Sequence, residues 1–262
     1  GDTAVGQIDP QEGNSKRSTR WTTAAAAAVI LVGLIAAVAS AHTSAPARKA
    51  ATISVCALLP DTKSSTRYTL FDAPYLNSAF KTAGVPASIL NAHADPQKQK
   101  SQAQQCLAQG AKVILLDQLD PASGASITNL AVSGGAKVID YDRLVVGSKA
   151  SYYVSFDNVK VGKLQGAGLV AGLKAKGKYG SHPVIAELNG DVKDNNAKLF
   201  KQGYDSILKP LYSSGKFKKA TAGDQWTQWD PIKGRQIFDQ ILARNGNKVD
   251  ASIAANDGLA GA

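Results

Sequence analysis

The feature that most constrains the fold is a regular alternation of short apolar runs with segments of helical character, from residue 52 to residue 256. The apolar runs include TISVCALL, KVILLD and PVIAELNG, and β-branched residues recur in them. Continuous apolar strands separated by helices are typical of βαβ units in buried parallel sheets. We therefore predict an α/β fold whose crossover connections are right-handed.

The alternation occurs in two successive series. The first predicts strands at 52–59, 85–92, 112–117 and 136–142, and the second predicts strands at 151–157, 183–190, 217–223 and 250–256. We interpret them as an N-terminal lobe, 46–155, and a C-terminal lobe, 156–262, joined near residues 155–158 by a short crossover that suits a hinge. Because the sequence stops at NDGLAGA directly after a strand, we expect the second lobe to be incomplete.

An apolar segment precedes the first lobe. Residues 1–20 are polar and end in basic residues, and residues 21–45 are largely apolar and contain the small-residue pattern Ala39-Ser40-Ala41. This is typical of a signal peptide, and the apolar stretch is also about long enough, roughly 20 residues, to form a hydrophobic helix that serves as an uncleaved signal anchor. Both interpretations predict an exported protein, periplasmic or at the cell surface, attached to the membrane if the segment is not cleaved.

The net charge of +10 belongs to the predicted lobes, because basic and acidic residues balance within residues 1–45. The lysines are spread singly along the chain, without the interleaved aromatic and basic residues of a nucleic-acid groove. We therefore expect no nucleic-acid partner.

The two cysteines, Cys56 and Cys106, fall in the first predicted strand and the second predicted helix. An exported chain permits a disulfide, and in a doubly wound sheet this helix packs over this strand. A Cys56–Cys106 disulfide and two buried free thiols both remain open.

Three predicted helices begin with the same dipeptide: Asp95-Pro96, Asp120-Pro121 and Asp230-Pro231. Aspartate is a preferred N-cap and proline suits the first helical position. We therefore assign these aspartates to helix capping and not to catalysis.

Polar and aromatic residues follow the predicted strands, at the edge where open parallel sheets bind ligands. Carboxylate, amide and guanidinium groups satisfy sugar hydroxyls, and flat rings satisfy apolar sugar faces. The candidates for substrate binding are Arg67, Tyr68, Asp142, Arg143, Asn195, Asn196, Trp226, Asn256 and Asp257.

Structural roles remain open for several of these candidates. Arg143 could form an ion pair with Asp142 or Asp140, and the tryptophans of DQWTQW could be core. Asn195 could cap a helix start, and Asp257 could be the N-cap of a following helix.

Other kinds of site have less support. There is no glycine-rich phosphate loop, no GxSxG nucleophile motif and no HxxxH spacing for a metal. A carboxylate pair for glycoside hydrolysis could be formed by Asp142 and Asp257, but each has a polar neighbour in sequence that favours an ionised acceptor. We expect a binding protein that is not an enzyme and has no cofactor or metal.

Five segments in combination resemble bacterial D-xylose-binding proteins, the exported substrate-binding components of sugar ABC transporters. They are VIDYDR, YYVSFDNVKVGKLQG, DNNAKLFKQGYDSILKP, GDQWTQW and AANDGLAGA. The resemblance implies the type 1 periplasmic-binding-protein fold, in which two Rossmann-like lobes close around one sugar. It also implies that Asp142, Arg143 and Arg67 bind hydroxyls and that Tyr68 stands where the family usually has tryptophan.

The resemblance further implies a monomer that captures D-xylose or a similar aldose and delivers it to an ABC permease and its ATPase. A broader pentose or hexose binder and a membrane-anchored sugar sensor are the alternatives. A repressor of related fold is disfavoured, because residues 1–45 hold an apolar segment where a helix-turn-helix would be. We expect Arg143→Ala to weaken sugar binding with little loss of stability.

Overall fold

The computed structural model describes residues 52–262, and its first half is built on a five-stranded sheet. The strands lie in the spatial order β2-β1-β3-β4-β5 and every neighbouring pair is parallel; they are β1 (Val55–Leu59), β2 (Ala87–Asn91), β3 (Val113–Leu116), β4 (Lys137–Tyr141) and β5 (Tyr152–Val154). A π-helical turn (Tyr68–Asp72) leads into the first of three helices, α1 (Ala73–Thr82), α2 (Pro96–Ala108) and α3 (Pro121–Ser133).

The second half is built on a three-stranded parallel sheet. Its strands, β6 (Val184–Asn189), β7 (Lys218–Trp226) and β8 (Ala251–Ala254), lie in the order β7-β6-β8. The helices are α4 (Asn158–Ala175), α5 (Asn195–Ser213), α6 (Pro231–Arg244) and α7 (Asp257–Ala260).

The α/β class with two parallel sheets is therefore confirmed. The hydrophobic helix predicted within residues 21–45 lies outside the described residues. Within residues 52–262, none of the helices combines the length and the apolar character that crossing a bilayer requires.

Strand β7 is longer than the sequence predicts. The sequence predicts a strand that ends at residue 223, but β7 continues to Trp226. The pairing between β6 and β7 shifts register between Ile185 and Glu187, and Ala222 has a φ of 54°. Across this irregularity β6 advances by two residues and β7 by five, from Lys219 to Asp224, so β7 takes up extra residues and resumes pairing beyond them.

Each sheet has its own apolar core. In the first, Leu58, Ile114 and Val138 of adjacent strands are fully buried and pack against Ile127 of α3. In the second, Ile185, Tyr204, Leu208 and Phe217 form a separate cluster between the sheet and α5. Each half of the described chain therefore has a hydrophobic core of its own.

Cys56 and Cys106 form a disulfide between β1 and α2, with their Cα atoms 6.1 Å apart. Both cysteines are buried in the core of the first sheet. The bridge ties the second helix to the first strand across 50 residues of sequence.

The three Asp-Pro dipeptides do begin helices α2, α3 and α6. The side chains of Asp95, Asp120 and Asp230 each accept hydrogen bonds from two backbone N–H groups of the first turn. Their capping role is confirmed.

Helices α4 and α5 approach each other closely because glycines face one another at the crossing. A Cβ atom at Gly162 would overlap the backbone of Phe200, and one at Gly203 would lie 2.7 Å from the Cα atom of Gly162. Helix α4 follows β5 directly, so this contact holds the crossover helix against the second half.

We predict that Gly162→Ala lowers the free energy of unfolding by about 1–3 kcal/mol, since the added methyl group must push α4 away from α5. Gly168→Ala is the matched control on the same helix, because a Cβ atom there would meet nothing within 4 Å. It should be neutral or stabilise by up to about 1 kcal/mol through helix propensity. Urea denaturation measures both, and equal effects would contradict the close crossing.

Candidate functional site

The carboxyl ends of strands from both sheets border one cavity of about 330 Å³. The first half contributes residues that follow β1 and β4, and the second contributes residues that follow β6, β7 and β8; the segment after β5, which joins the halves, also contributes. The residues that line the cavity include Ser64, Arg67, Tyr68, Asp142, Arg143, Phe156, Asn158, Asp194, Asn196, Trp229 and Asn256. Open parallel sheets bind ligands at this edge.

Six of the nine predicted site residues line this cavity, and three do not. The six are Arg67, Tyr68, Asp142, Arg143, Asn196 and Asn256. The other three, Asn195, Trp226 and Asp257, do not line it.

Asn195 and Asn196 are the first two residues of α5. Successive helical residues point about 100° apart, so only one of two neighbours can face a given cavity. Asn196 is the one that does.

Trp226 does not line the cavity; it is the last residue of strand β7 and not part of the loop that follows it. It borders an open depression of about 550 Å³ on the outer side of α5, together with Lys198, Lys201 and Asp205. This depression is larger than the cavity but is lined by α5 and Trp226 alone. The chain then turns through positive φ angles at Gln228 and Trp229, and Trp229 lines the cavity.

Asp257 is the exposed first residue of α7 and does not cap it. The N-cap is Asn256, whose side-chain oxygen accepts a hydrogen bond from the N–H of Leu259. The possible cap role of Asp257 is therefore wrong, and the preceding residue has it.

An ion pair between Arg67 and Asp142 forms one wall of the cavity, with 2.7 Å between Nη2 and Oδ2. Arg67 also lies 3.4 Å from Asp72. Burial alone would lower the pKa of Arg67, but Asp142 and the other nearby carboxylates raise it above its ordinary value. The guanidinium group therefore stays charged.

Asp142 owes its position to an unusual backbone conformation. Strand β4 ends at Tyr141, and Asp142 has a φ of 63°, in the left-handed region that aspartate tolerates better than most residues. Its N–H donates to the carbonyl of Val154 at 2.8 Å. Burial raises the pKa of Asp142, while the guanidinium groups of Arg67 and Arg143 oppose that rise.

Arg143 is more deeply placed than Arg67 and pairs with neither Asp142 nor Asp140. Its Nε atom lies 3.4 Å from Asp194 and 3.7 Å from Asp117. Its terminal nitrogens donate to the carbonyl of Gln118 and to the hydroxyl of Ser64. The ion pair with Asp142 or Asp140 considered from the sequence is wrong. Asp140 instead accepts from the N–H of Val145.

Two asparagines of the second half reach the first half. The Nδ2 atom of Asn196 donates to the carbonyl of Asp142 at 2.9 Å and to its carboxylate at 3.1 Å. The Nδ2 atom of Asn256 donates to the carbonyl of Ser64 at 3.1 Å. Amide groups of the second half thus lie beside the charged groups of the first.

The aromatic groups differ from those expected. Tyr68 is only 2% exposed, and the guanidinium group of Arg67 covers its ring at 4.7 Å from the centroid. The accessible ring is that of Phe156, which is 74% exposed. Trp229 is buried at the cavity wall and donates from Nε1 to Asp194 at 3.0 Å. Phe156 follows β5 and Trp229 ends the segment GDQWTQW; the sequence analysis weighs Trp229 only as a core residue, and neither residue is among the predicted site residues.

The arrangement presents charged donors and acceptors to a ligand. Among residues 52–262, no three His, Cys, Asp or Glu side chains are grouped so as to hold a metal ion. Asp142 lines the cavity and Asp257 does not, so the cavity does not unite the carboxylate pair considered for hydrolysis. Asp194, the other carboxylate in the lining, caps α5 and accepts from Trp229.

The family described as periplasmic binding protein domain matches residues 56–262. The D-xylose-binding periplasmic protein of Haemophilus influenzae is 38% identical over 191 residues, which are 71% of this chain and 54% of that protein. A multiple sugar-binding periplasmic receptor of Rhizobium radiobacter is 33% identical over 241 residues, which are 88% of this chain and 67% of that protein. The chain thus spans about half the length of the Haemophilus protein.

The chain is also similar in fold to solved structures. An ABC transporter solute binding protein from Clostridium phytofermentans, determined with bound β-D-glucose, superposes with a TM-score of 0.71 at 28% identity. The superposition covers 79% of this chain and 65% of that one.

The buried position of Arg143 changes what we expect of its removal. Arg143→Ala should lower the free energy of unfolding by about 3–5 kcal/mol, because it leaves buried carboxylates without their cation. Arg235→Ala, at an exposed site on α6, is the matched control and should change stability by about 0.5 kcal/mol or less. Urea denaturation compares them, and wild-type stability of Arg143→Ala would show that its buried pairings do not form.

Proposed function

The chain belongs to the periplasmic binding protein family, and from that premise we propose that its cavity captures a monosaccharide, D-xylose or a similar aldose. The observation that carries the proposal is the Arg67–Asp142 pair of one half, in direct contact with Asn196 of the other at the wall of a small cavity. At about 330 Å³ the cavity lies near the lower end of the range for small-molecule sites, about 300–1,000 Å³.

The chemistry of the lining suits a sugar. Each hydroxyl group both donates and accepts, so it is satisfied by a guanidinium or amide donor beside a carboxylate acceptor. Arg67, Asp142 and Asn196 supply these groups. The exposed ring of Phe156 and the indole of Trp229 supply apolar surface for the C–H faces of the ring.

The charges around the cavity favour a neutral sugar over a sugar acid or a sugar phosphate. The two guanidinium groups are already within 4 Å of four carboxylates, those of Asp72, Asp117, Asp142 and Asp194. A further negative charge would have no free cation among these groups and would lie close to several carboxylates.

Contacts between the halves support capture by hinge closure about residues 155–158. Besides the two asparagine contacts, Lys63 of the loop after β1 forms an ion pair with Asp230, the cap of α6, at 2.6 Å. We take residues 46–155 and 156–262 as the closing lobes. A sugar bound between them would add contacts to both and favour the closed state.

We further propose that the protein is exported, acts as a monomer without catalysis, and delivers the sugar to an ABC permease and its ATPase. The segment at residues 21–45, as signal peptide or anchor, would supply export. A broader pentose and hexose binder is the second candidate, favoured by the similarity to a multiple sugar-binding receptor and to a glucose-bound binding protein.

We predict that neutral aldoses stabilise the full chain against heat, whereas D-glucuronate and glucose 6-phosphate do not. A ligand at 100 times its dissociation constant adds about 2.7 kcal/mol, which a thermal-shift assay detects readily. A panel of D-xylose, L-arabinose, D-ribose, D-glucose and D-galactose distinguishes a xylose binder from a broad one.

At the same sugar concentration Arg67→Met should reduce the shift sharply by weakening binding, and Arg235→Met, which removes an exposed arginine of α6, should retain it. If no neutral sugar raises the unfolding midpoint, or if Arg67→Met responds as the wild type does, sugar binding in this cavity is refuted.

A further inference from the structure

One of the four carboxylates around the two guanidinium groups, that of Asp117, is buried and does not line the cavity. Asp117 directly follows β3, and its side chain is 0% exposed. Neither of its carboxylate oxygens accepts a hydrogen bond from any residue between 52 and 262. A carboxylate placed in this way is costly unless charges nearby compensate it.

The compensating charges are the two arginines of the site. Nη2 of Arg67 lies 3.6 Å from Oδ2 of Asp117, and Nε of Arg143 lies 3.7 Å from Oδ1. Each oxygen therefore faces a different guanidinium group. Burial raises the pKa of Asp117 well above its ordinary value, and Asp142 and Asp194 add to the rise, so the nearby guanidinium groups of Arg143 and Arg67 are what favours its ionised form.

Asp117 is also the ion-pair partner that the two arginines share. Arg67 otherwise pairs with Asp142 and Asp72, whereas Arg143 otherwise pairs with Asp194 at the start of α5. In the part of the chain that the structure describes, Asp117 is the one carboxylate within 4 Å of both guanidinium groups. It links the partly exposed arginine to the buried one.

This link matters when a ligand enters. Hydroxyl groups that bind Arg67 and Asp142 compete with the ion pair between them, so Arg67 needs a partner that the ligand does not reach. Asp117 does not line the cavity and so keeps its position. We propose that Asp117 is a positioning residue that holds the guanidinium groups of Arg67 and Arg143 in the orientation in which they receive the sugar. This inference rests on the proposed function.

The test uses Asp117→Asn in the full chain, because asparagine keeps the size of the side chain and removes its charge. By calorimetric titration with D-xylose or the best aldose of the panel, Asp117→Asn should bind at least tenfold more weakly than the wild type. In an Arg67→Met background, Asp117→Asn should cause little further loss of sugar affinity. One of the two guanidinium groups that Asp117 positions is already absent there. A purely structural role would give equal losses in both backgrounds.

Asp205→Asn is the matched control. Asp205 is also a buried, ion-paired aspartate, but its partners are Lys201 and Lys209 and it lies away from the cavity. Its substitution should leave sugar affinity unchanged. Should Asp117→Asn fail to fold, the smaller Asp117→Ser is measured in the same way.

A second readout does not need a sugar. The arginine side-chain N–H signals of Arg67 and Arg143 in NMR spectra of the unliganded protein should shift and broaden in Asp117→Asn and remain in place in Asp205→Asn. Wild-type sugar affinity in Asp117→Asn, or unchanged arginine signals, would overturn the positioning role. If the wild type binds no sugar, the proposed function fails, and the arginine signals alone decide whether Asp117 orders the two groups.

Discussion

The site depends on placing two guanidinium groups among four carboxylates at the edge of a parallel sheet. Such a group of charges is costly to remove from water unless each charge finds partners. Arg67 and Arg143 find theirs because strands β1, β3 and β4 end side by side, so that the loops and residues that follow them meet at one point. The charged groups of the site can therefore meet only because these strands are parallel and end at the same edge of the sheet.

The two arginines differ in burial and in ion-pair partners although both line the cavity. Arg143 is buried, bonded to a backbone carbonyl and paired with a carboxylate of the second half. Arg67 is partly exposed and pairs with Asp142 at the wall. We infer that Arg143 mainly organises the site and that Arg67 mainly meets the ligand, a division that the adjacent sequence letters Asp142-Arg143 do not suggest.

The sequence predicted the fold well because buried parallel strands must be continuous apolar runs, and those runs are visible. The predicted residues that follow β1, β4, β6 and β8 also line the cavity, because parallel strands end at one edge of their sheet. Prediction from the sequence failed at Trp226 because a bulge in β7 and two positive φ angles decide which tryptophan enters the cavity. It failed at the partner of Arg143 because that ion pair joins residues distant in sequence, and no local pattern records it.

The most direct measurement of the central claim is a crystal structure of the full chain grown with a neutral aldose. We expect one sugar between the two sheets, with hydroxyl groups within hydrogen-bond distance of Arg67, Asp142 and Asn196. A sugar bound instead in the depression beside Trp226, or an empty cavity at saturating sugar, would contradict it.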